Sequence, residues 1–254
     1  MSIGSSASDD SALTPYPPAP WQLRGWGVAL VHGVPAQGAR HFVPSDCAIV
    51  AIAPGRTLGG LLFVSYEFGS TIVYRELAVV AALVRVGRRL AFFLPRLYVD
   101  SAASLAGGRG IWGVRKDLAS FDVAASATKR TIVVRSDGAD VCKLQAAVAR
   151  TGVRLPLPMP AFGTRSDRFL FFTARLAARL SLIGATVEMP RDGEFAALSL
   201  ERPLFAVAMD GLDLRIPLPI EVPRRRMSRA WARAARIVVG TDVGAEPGNA
   251  CRQT

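Results

Sequence analysis

The sequence predicts a mostly β protein with minor α content. Short runs rich in valine and aromatic residues recur at even spacing along the chain. Turn signals such as Pro54-Gly55, Gly87, Ser136-Asp137-Gly138 and Asp210-Gly211 divide them, and no series of strand–helix–strand units breaks the pattern. Strands spaced in this way argue for a barrel-like or sandwich-like architecture. At 254 residues, half of them hydrophobic, the chain is long enough to bury a sizeable core as one domain or two small ones.

Three segments are expected. Residues 1–14 are small and polar and read as disordered; residues 15–223 form the β domain; residues 224–254 read as an appended basic helix with a flexible end. Within the domain, Pro15 to Pro20 gives an extended entry, followed by a strand over Val28–Val34. Cys47–Ala53, Leu58–Tyr66, Thr71–Val86 and Arg89–Val99 carry β-like patterns. Asp100 is placed to cap a short helix over Ser101–Ala106, which Gly107-Gly108 ends. Beyond it lie Ser120–Ala127, Thr131–Arg135, Val141–Ala149 and Arg154–Leu157. Phe169–Arg179 fits strand or helix, and its aromatic content favours strand. Ala185–Met189, Phe195–Leu200, Leu204–Met209 and Leu212–Leu218 complete the strand set.

Composition narrows the function classes. The net charge of +11 suits nucleic acid, an acidic surface or anionic substrates. The arginines are scattered, however, and aromatics do not interleave with the Arg224-Arg225-Arg226 run as a base-stacking platform requires, so nucleic acid is disfavoured. No apolar run is long enough to span a bilayer, and the first residues lack the blocks of a signal peptide. The expected location is cytoplasmic. Cys47, Cys142 and Cys251 are widely spaced and odd in number, which points to reduced structural thiols. His32 and His41 are the only histidines, too few for a His-rich metal site and a poor basis for a Ser-His triad. No cofactor or metal is expected.

Lysine is the more informative residue. Of 31 basic residues only Lys116, Lys129 and Lys143 are lysine. Arginine stays protonated, whereas burial can turn lysine into a nucleophilic amine. Lys129 sits at a hairpin end and Lys143 in an alternating strand with its polar side out. Lys116 alone follows a glycine-rich, tryptophan-bearing turn; the competing reading is a surface lysine beside Arg115 and Asp117. Gly108-Arg-Gly-Ile-Trp-Gly113 matches the G-x-G-x-x-G string, but a dinucleotide site needs βαβ surroundings that are absent. Arg24, between Leu23 and Trp26, reads as a paired strand arginine or an anion clamp.

Four blocks together resemble the acetoacetate decarboxylase family. They are Pro17-Pro-Ala-Pro-Trp-Gln-Leu-Arg-Gly25, Tyr74-Arg-Glu76, Leu94-Pro-Arg-Leu-Tyr-Val-Asp100 and Ala106-Gly-Gly-Arg-Gly-Ile-Trp-Gly-Val-Arg-Lys-Asp-Leu118. The resemblance runs from about Pro15 to Pro219. It implies a cone or closed β-barrel around an apolar cavity, a homo-oligomer, and a Schiff base on lysine. It matches Lys116 to that lysine, Arg24 to the arginine near the pocket and Glu76 to a pocket carboxylate. Catalysis is then expected from Lys116 and Glu76, with Arg24, Trp112 and Tyr74 binding the substrate. Gly110, Arg115 and Asp117 depart from the family pattern around the lysine, and a second pocket glutamate aligns with Leu61.

The implied activity is that of a carbon–carbon lyase acting on a small keto acid: a decarboxylase, or an aldolase or dehydratase relative. The alternative is a non-catalytic small-molecule-binding protein on the same fold. A free lysine is neutral only about 0.04% of the time at pH 7, so an attacking amine must first lose a proton. Asp117, adjacent in an extended segment, should face away from that amine.

Overall fold

The computed structural model describes residues 14–149, 151–166 and 168–224. The expected disordered start and basic tail fall almost wholly outside the described residues. The chain opens with β1 (Trp21–Pro35), a short helix α1 (Ala36–Arg40), β2 (Ala48–Ile49), β3 (Ala51–Ala53), β4 (Arg56–Tyr66) and β5 (Tyr74–Val80). Next come β6 (Ala82–Val86), β7 (Arg89–Phe93), β8 (Arg96–Val99) and helix α2 (Ala102–Gly107), which runs into a π-helical turn over Gly108–Trp112. Beyond the turn lie β9 (Lys116–Leu118), β10 (Ser120–Ala125), β11 (Lys129–Ser136), β12 (Ala139–Ala147) and β13 (Val153–Arg165). The last strands are β14 (Arg168–Ile183), β15 (Ala185–Glu188), β16 (Phe205–Ile216) and β17 (Ile220–Pro223).

The strands form a 13-stranded sheet and a four-stranded sheet. The large sheet runs β2-β6-β7-β13-β14-β16-β1-β4-β5-β8-β9, with β17 on β14 and β3 on β4; the small one runs β10-β11-β12-β15. All pairings are antiparallel except β7 with β13 and β8 with β9. The closed barrel that the resemblance implies is therefore not formed among the described residues. The hydrogen-bonded path has two ends, and the strands there, β2 and β9, are only two and three residues long.

The middle of the large sheet separates two cores, because successive side chains on a strand point to opposite faces. Phe63, Leu77 and Val79 turn one way, into a cluster with Phe121, Ile132 and Leu144 of the small sheet. Tyr66, Tyr74 and Ala78 turn the other way, joining Trp21, Leu23, Trp112 and Phe172. Each fully buried side chain such as Phe63 or Leu23 contributes about 1.5–3 kcal/mol from the area it removes from water.

Four local expectations need correction. Ser101, not Asp100, caps α2: its side chain accepts from Ser104 N at 3.2 Å, while Asp100 accepts from Arg75 N at 2.7 Å. Phe195–Leu200 is not a strand but holds a 3₁₀ turn at Ala196–Leu198. Asp210-Gly211 does not end a strand; β16 passes through it as a bulge opposite Trp26, with Gly211 at φ +59°. Arg154–Leu157 is part of the much longer β13.

Candidate active site

Lys116 is the first residue of β9, which pairs in parallel with β8 and puts Lys116 opposite Leu97. Its side chain enters the tyrosine-lined core and is only 4% exposed. Glu76 reaches the same space from the middle of β5, where it pairs with Val64 of β4 and Val99 of β8. Lys116 Nζ donates to Glu76 Oε2 at 2.6 Å and to Ser104 Oγ of α2 at 3.0 Å. The Tyr74 hydroxyl donates to Glu76 Oε2 at 3.4 Å, and Nζ lies 5.2 Å from the centre of the Tyr74 ring. Tyr66 stacks against Tyr74 with ring centres 4.7 Å apart.

The local backbone explains how the lysine gets there. The Arg109 guanidinium grips the Lys116 carbonyl oxygen through Nε at 3.1 Å and Nη2 at 2.7 Å. Gly108 leaves room for the lysine stem to cross the π-helical turn. Gly113 takes φ +64°, and its carbonyl accepts from Thr164 N at 2.8 Å, docking the turn on β13. The glycine string thus serves close packing around a lysine rather than a phosphate.

Desolvation is strong here. Burial, with the Glu76 carboxylate alongside, holds the Tyr66 and Tyr74 phenols well above the usual tyrosine range, so both stay protonated. A buried ion pair is weak evidence for stability, since the desolvation penalty of the two charges offsets much of their attraction. The arrangement is better suited to chemistry: a primary amine with a proton acceptor, a hydroxyl and a phenol in reach, in apolar surroundings.

The structure brings Lys116, Glu76 and Tyr74 together. Trp112 lies in the same core, edge-on to Trp21 at 4.7 Å between ring centres, and its Nε1 donates to Pro217 O at 2.7 Å. It therefore forms part of the apolar wall. Arg24 is not brought to the amine. It is exposed on β1 between buried Leu23 and the Gly25–Gly27 bulge, and it borders a separate cavity of about 450 Å³ with Trp26, Arg130 and Asp210. That cavity lies at the seam of the two sheets and has no lysine, cysteine, serine or histidine among its lining residues, so the buried lysine is the stronger centre for amine chemistry.

Two of the departures, Leu61 and Asp117, resolve differently. Leu61 faces away, packed with Leu30 and Val79 in the other core; Leu62, Val64 and Tyr66 are the β4 residues on the Glu76 face. A one-residue offset decides the face, and the position facing the lysine carries no second carboxylate in either case. Asp117 is held outside by Arg96 Nη1 at 3.0 Å and Arg109 Nη2 at 3.3 Å. Ser104 and Tyr66 were not singled out by the sequence. Nothing in the pattern of a short apolar helix marks Ser104, and Tyr66 reads as an ordinary strand aromatic. Among the described residues no group of His, Cys, Asp and Glu side chains is assembled for a metal ion, and no helix is long and apolar enough to cross a membrane.

The protein named NEOXANTHIN-DEFICIENT 1 from Solanum lycopersicum is 33% identical over 106 residues, covering 42% of this chain but only 36% of that protein. The chain thus matches well under half the length of that relative. Acetoacetate decarboxylase from Legionella pneumophila superposes with a TM-score of 0.60 at 14% identity, over 87% of this chain and 98% of that one. The enduracididine biosynthesis enzyme MppR complexed with pyruvate gives a TM-score of 0.63 at 14% identity, with the same coverage. The family model for acetoacetate decarboxylase matches residues 2–172, a span that contains Glu76, Ser104 and Lys116, and the chain belongs to that family.

Proposed function

We propose that Lys116 forms a Schiff base with a small keto acid, and that the protein is a carbon–carbon lyase whose foremost reaction is decarboxylation of a β-keto acid. The observation that carries this reading is the buried Lys116 amine, 2.6 Å from Glu76 and 3.0 Å from Ser104. Glu76 takes a proton from the ammonium, and the free amine attacks the substrate carbonyl. Loss of water leaves an iminium ion. The bond to the carboxylate then breaks, its electron pair moves into the iminium to give an enamine, and CO₂ departs. Reprotonation of the enamine carbon and hydrolysis release the ketone and restore Lys116. The apolar wall of Trp21, Trp112 and Phe172 keeps water from competing with these steps. Tyr74, a protonated phenol beside Glu76, is placed to orient the substrate oxygen. A relative of the same fold that holds pyruvate supports a keto acid as the substrate class.

Aldol or dehydration chemistry would use the same iminium as its electron sink, so product analysis decides between them. The test is treatment with acetoacetate or pyruvate, reduction with borohydride, and mapping of the mass shift. A single adduct on Lys116, lost in Lys116→Arg, is expected. Labelling spread over Lys129 and Lys143, or no adduct on Lys116 with either acid, would overturn the proposal in favour of a non-catalytic binding protein.

A further inference from the structure

Ser104 is fully buried at the third position of α2, in an otherwise apolar helix. An isolated hydroxyl in such a place costs stability unless it is hydrogen-bonded. A helical serine commonly bonds back to its own backbone, but this one accepts from Lys116 Nζ at 3.0 Å. With the Tyr74 hydroxyl donating to Glu76, and Glu76 in contact with Nζ, the four groups form a chain of hydrogen bonds that ends at the serine.

That chain answers a problem of proton accounting. Among the described residues Glu76 is the only carboxylate in contact with Nζ, and it accepts the proton that frees the amine. As a carboxylic acid it cannot accept a second. Attack on the ketone forms the C–N bond, sends the carbonyl π pair to oxygen, and leaves a positive N–H beside a negative oxygen. Those charges must be cancelled in a dry site. We propose, on the Schiff-base reading above, that the Ser104 hydroxyl is the proton switch of imine formation: it takes the surplus proton from Nζ as it gives its own to the carbinolamine oxygen. The serine is unchanged by the exchange. The Glu76 acid then protonates the departing hydroxyl, the C–O bond breaks, and the nitrogen lone pair closes the iminium, which keeps one hydrogen. Ser104 is thus a catalytic residue that touches the reacting nitrogen.

The test follows the rate at which reducible adduct appears with pyruvate, sampled by rapid borohydride quench. Ser104→Ala should slow that rate by about a hundredfold, in the range of a lost general acid–base group. At long incubation the amount of adduct and its place on Lys116 should match the wild type. Equal rates in Ser104→Ala and wild type would remove Ser104 from the mechanism while leaving the Schiff base standing. A wild type with no adduct on Lys116 would instead remove the Schiff base, and the switch with it. Where Ser104→Ala fails to fold, the wild-type rate in D₂O decides: a clear slowing supports the switch, and an unchanged rate overturns it.

Discussion

A Cβ built on Gly108 would stand 2.5 Å from Cε and 2.6 Å from Cδ of Lys116, so the glycine and the lysine stem occupy one another's space. The backbone of Gly108 is ordinary right-handed helix, at φ −60° and ψ −46°, which any residue adopts. Gly108→Ala is therefore a steric probe of lysine placement with little backbone strain. Alanine's better helix propensity, about 1 kcal/mol, offsets part of an overpacking cost of about 1–3 kcal/mol. We expect the melting temperature to move by a few degrees at most and adduct formation on Lys116 to fall at least about tenfold, because a displacement of that size at a reacting atom is costly. Trapping at the wild-type rate would show that the lysine reaches its position by another path.

Much of the architecture is legible in the residues, and its failures have local causes. Val28–Val34, Leu58–Tyr66 and Thr131–Arg135 are short apolar, β-like runs, and each lies in a strand. The misreadings arise where two structures share a pattern. Leu198 and Leu200 are buried apolar residues two apart, which suits a strand, yet Leu198 ends a 3₁₀ turn. Pro156, Pro158 and Pro160 argue against a long strand. They are tolerated because alternate residues share one side, and the strand beyond that side, β7, pairs only at Ala161 and Phe162. At the site, the scarcity of lysine and the glycine turn single out Lys116. Glu76 comes from the family resemblance. Ser104 enters only through the folded helix, since its partner Lys116 is 12 residues away in sequence.

His32 predicts the acid limit of stability. The ring is 1% exposed, with Nδ1 3.1 Å from Leu30 O and Nε2 2.9 Å from Leu200 O. Burial lowers its pKa below the usual 6.5, an effect larger than the opposing pull of the two carbonyls and of Glu201. The folded state thus holds His32 neutral at pH values where the unfolded chain has already begun to bind a proton. Its contribution is intact above pH ~6.5 and is lost as pH falls through the folded value. Thermal melts taken downward from pH 7 should show a steeper decline for the wild type than for His32→Gln, which cannot take up that proton. Parallel declines would assign the acid sensitivity to other groups.

The Lys116–Glu76 pair sets the last expectation, which separates stability from chemistry. Both side chains are nearly enclosed, at 5% and 11% exposure, so solvent screens their 2.6 Å contact only weakly. Removing one partner of such a pair leaves an uncompensated charge, at a cost of about 3–5 kcal/mol, whereas removing both for apolar groups of similar size is close to neutral. Glu76→Gln keeps the shape and a hydrogen-bond acceptor but not the charge, so it should destabilise the fold by about that amount in urea unfolding. Lys116→Met, which strands the carboxylate, should cost a similar amount. The double variant buries no charge, only the neutral amide of the glutamine, so it should recover part of the loss, giving a coupling of at least about 2 kcal/mol in the cycle. It should form no adduct with any keto acid, because the amine is gone. A stable, inert double variant would mean that the ion pair is kept for the reactivity of Lys116 rather than for the fold. Additive losses, with the double variant the least stable of the three, would contradict that and make the pair a structural element of the β5–β9 contact.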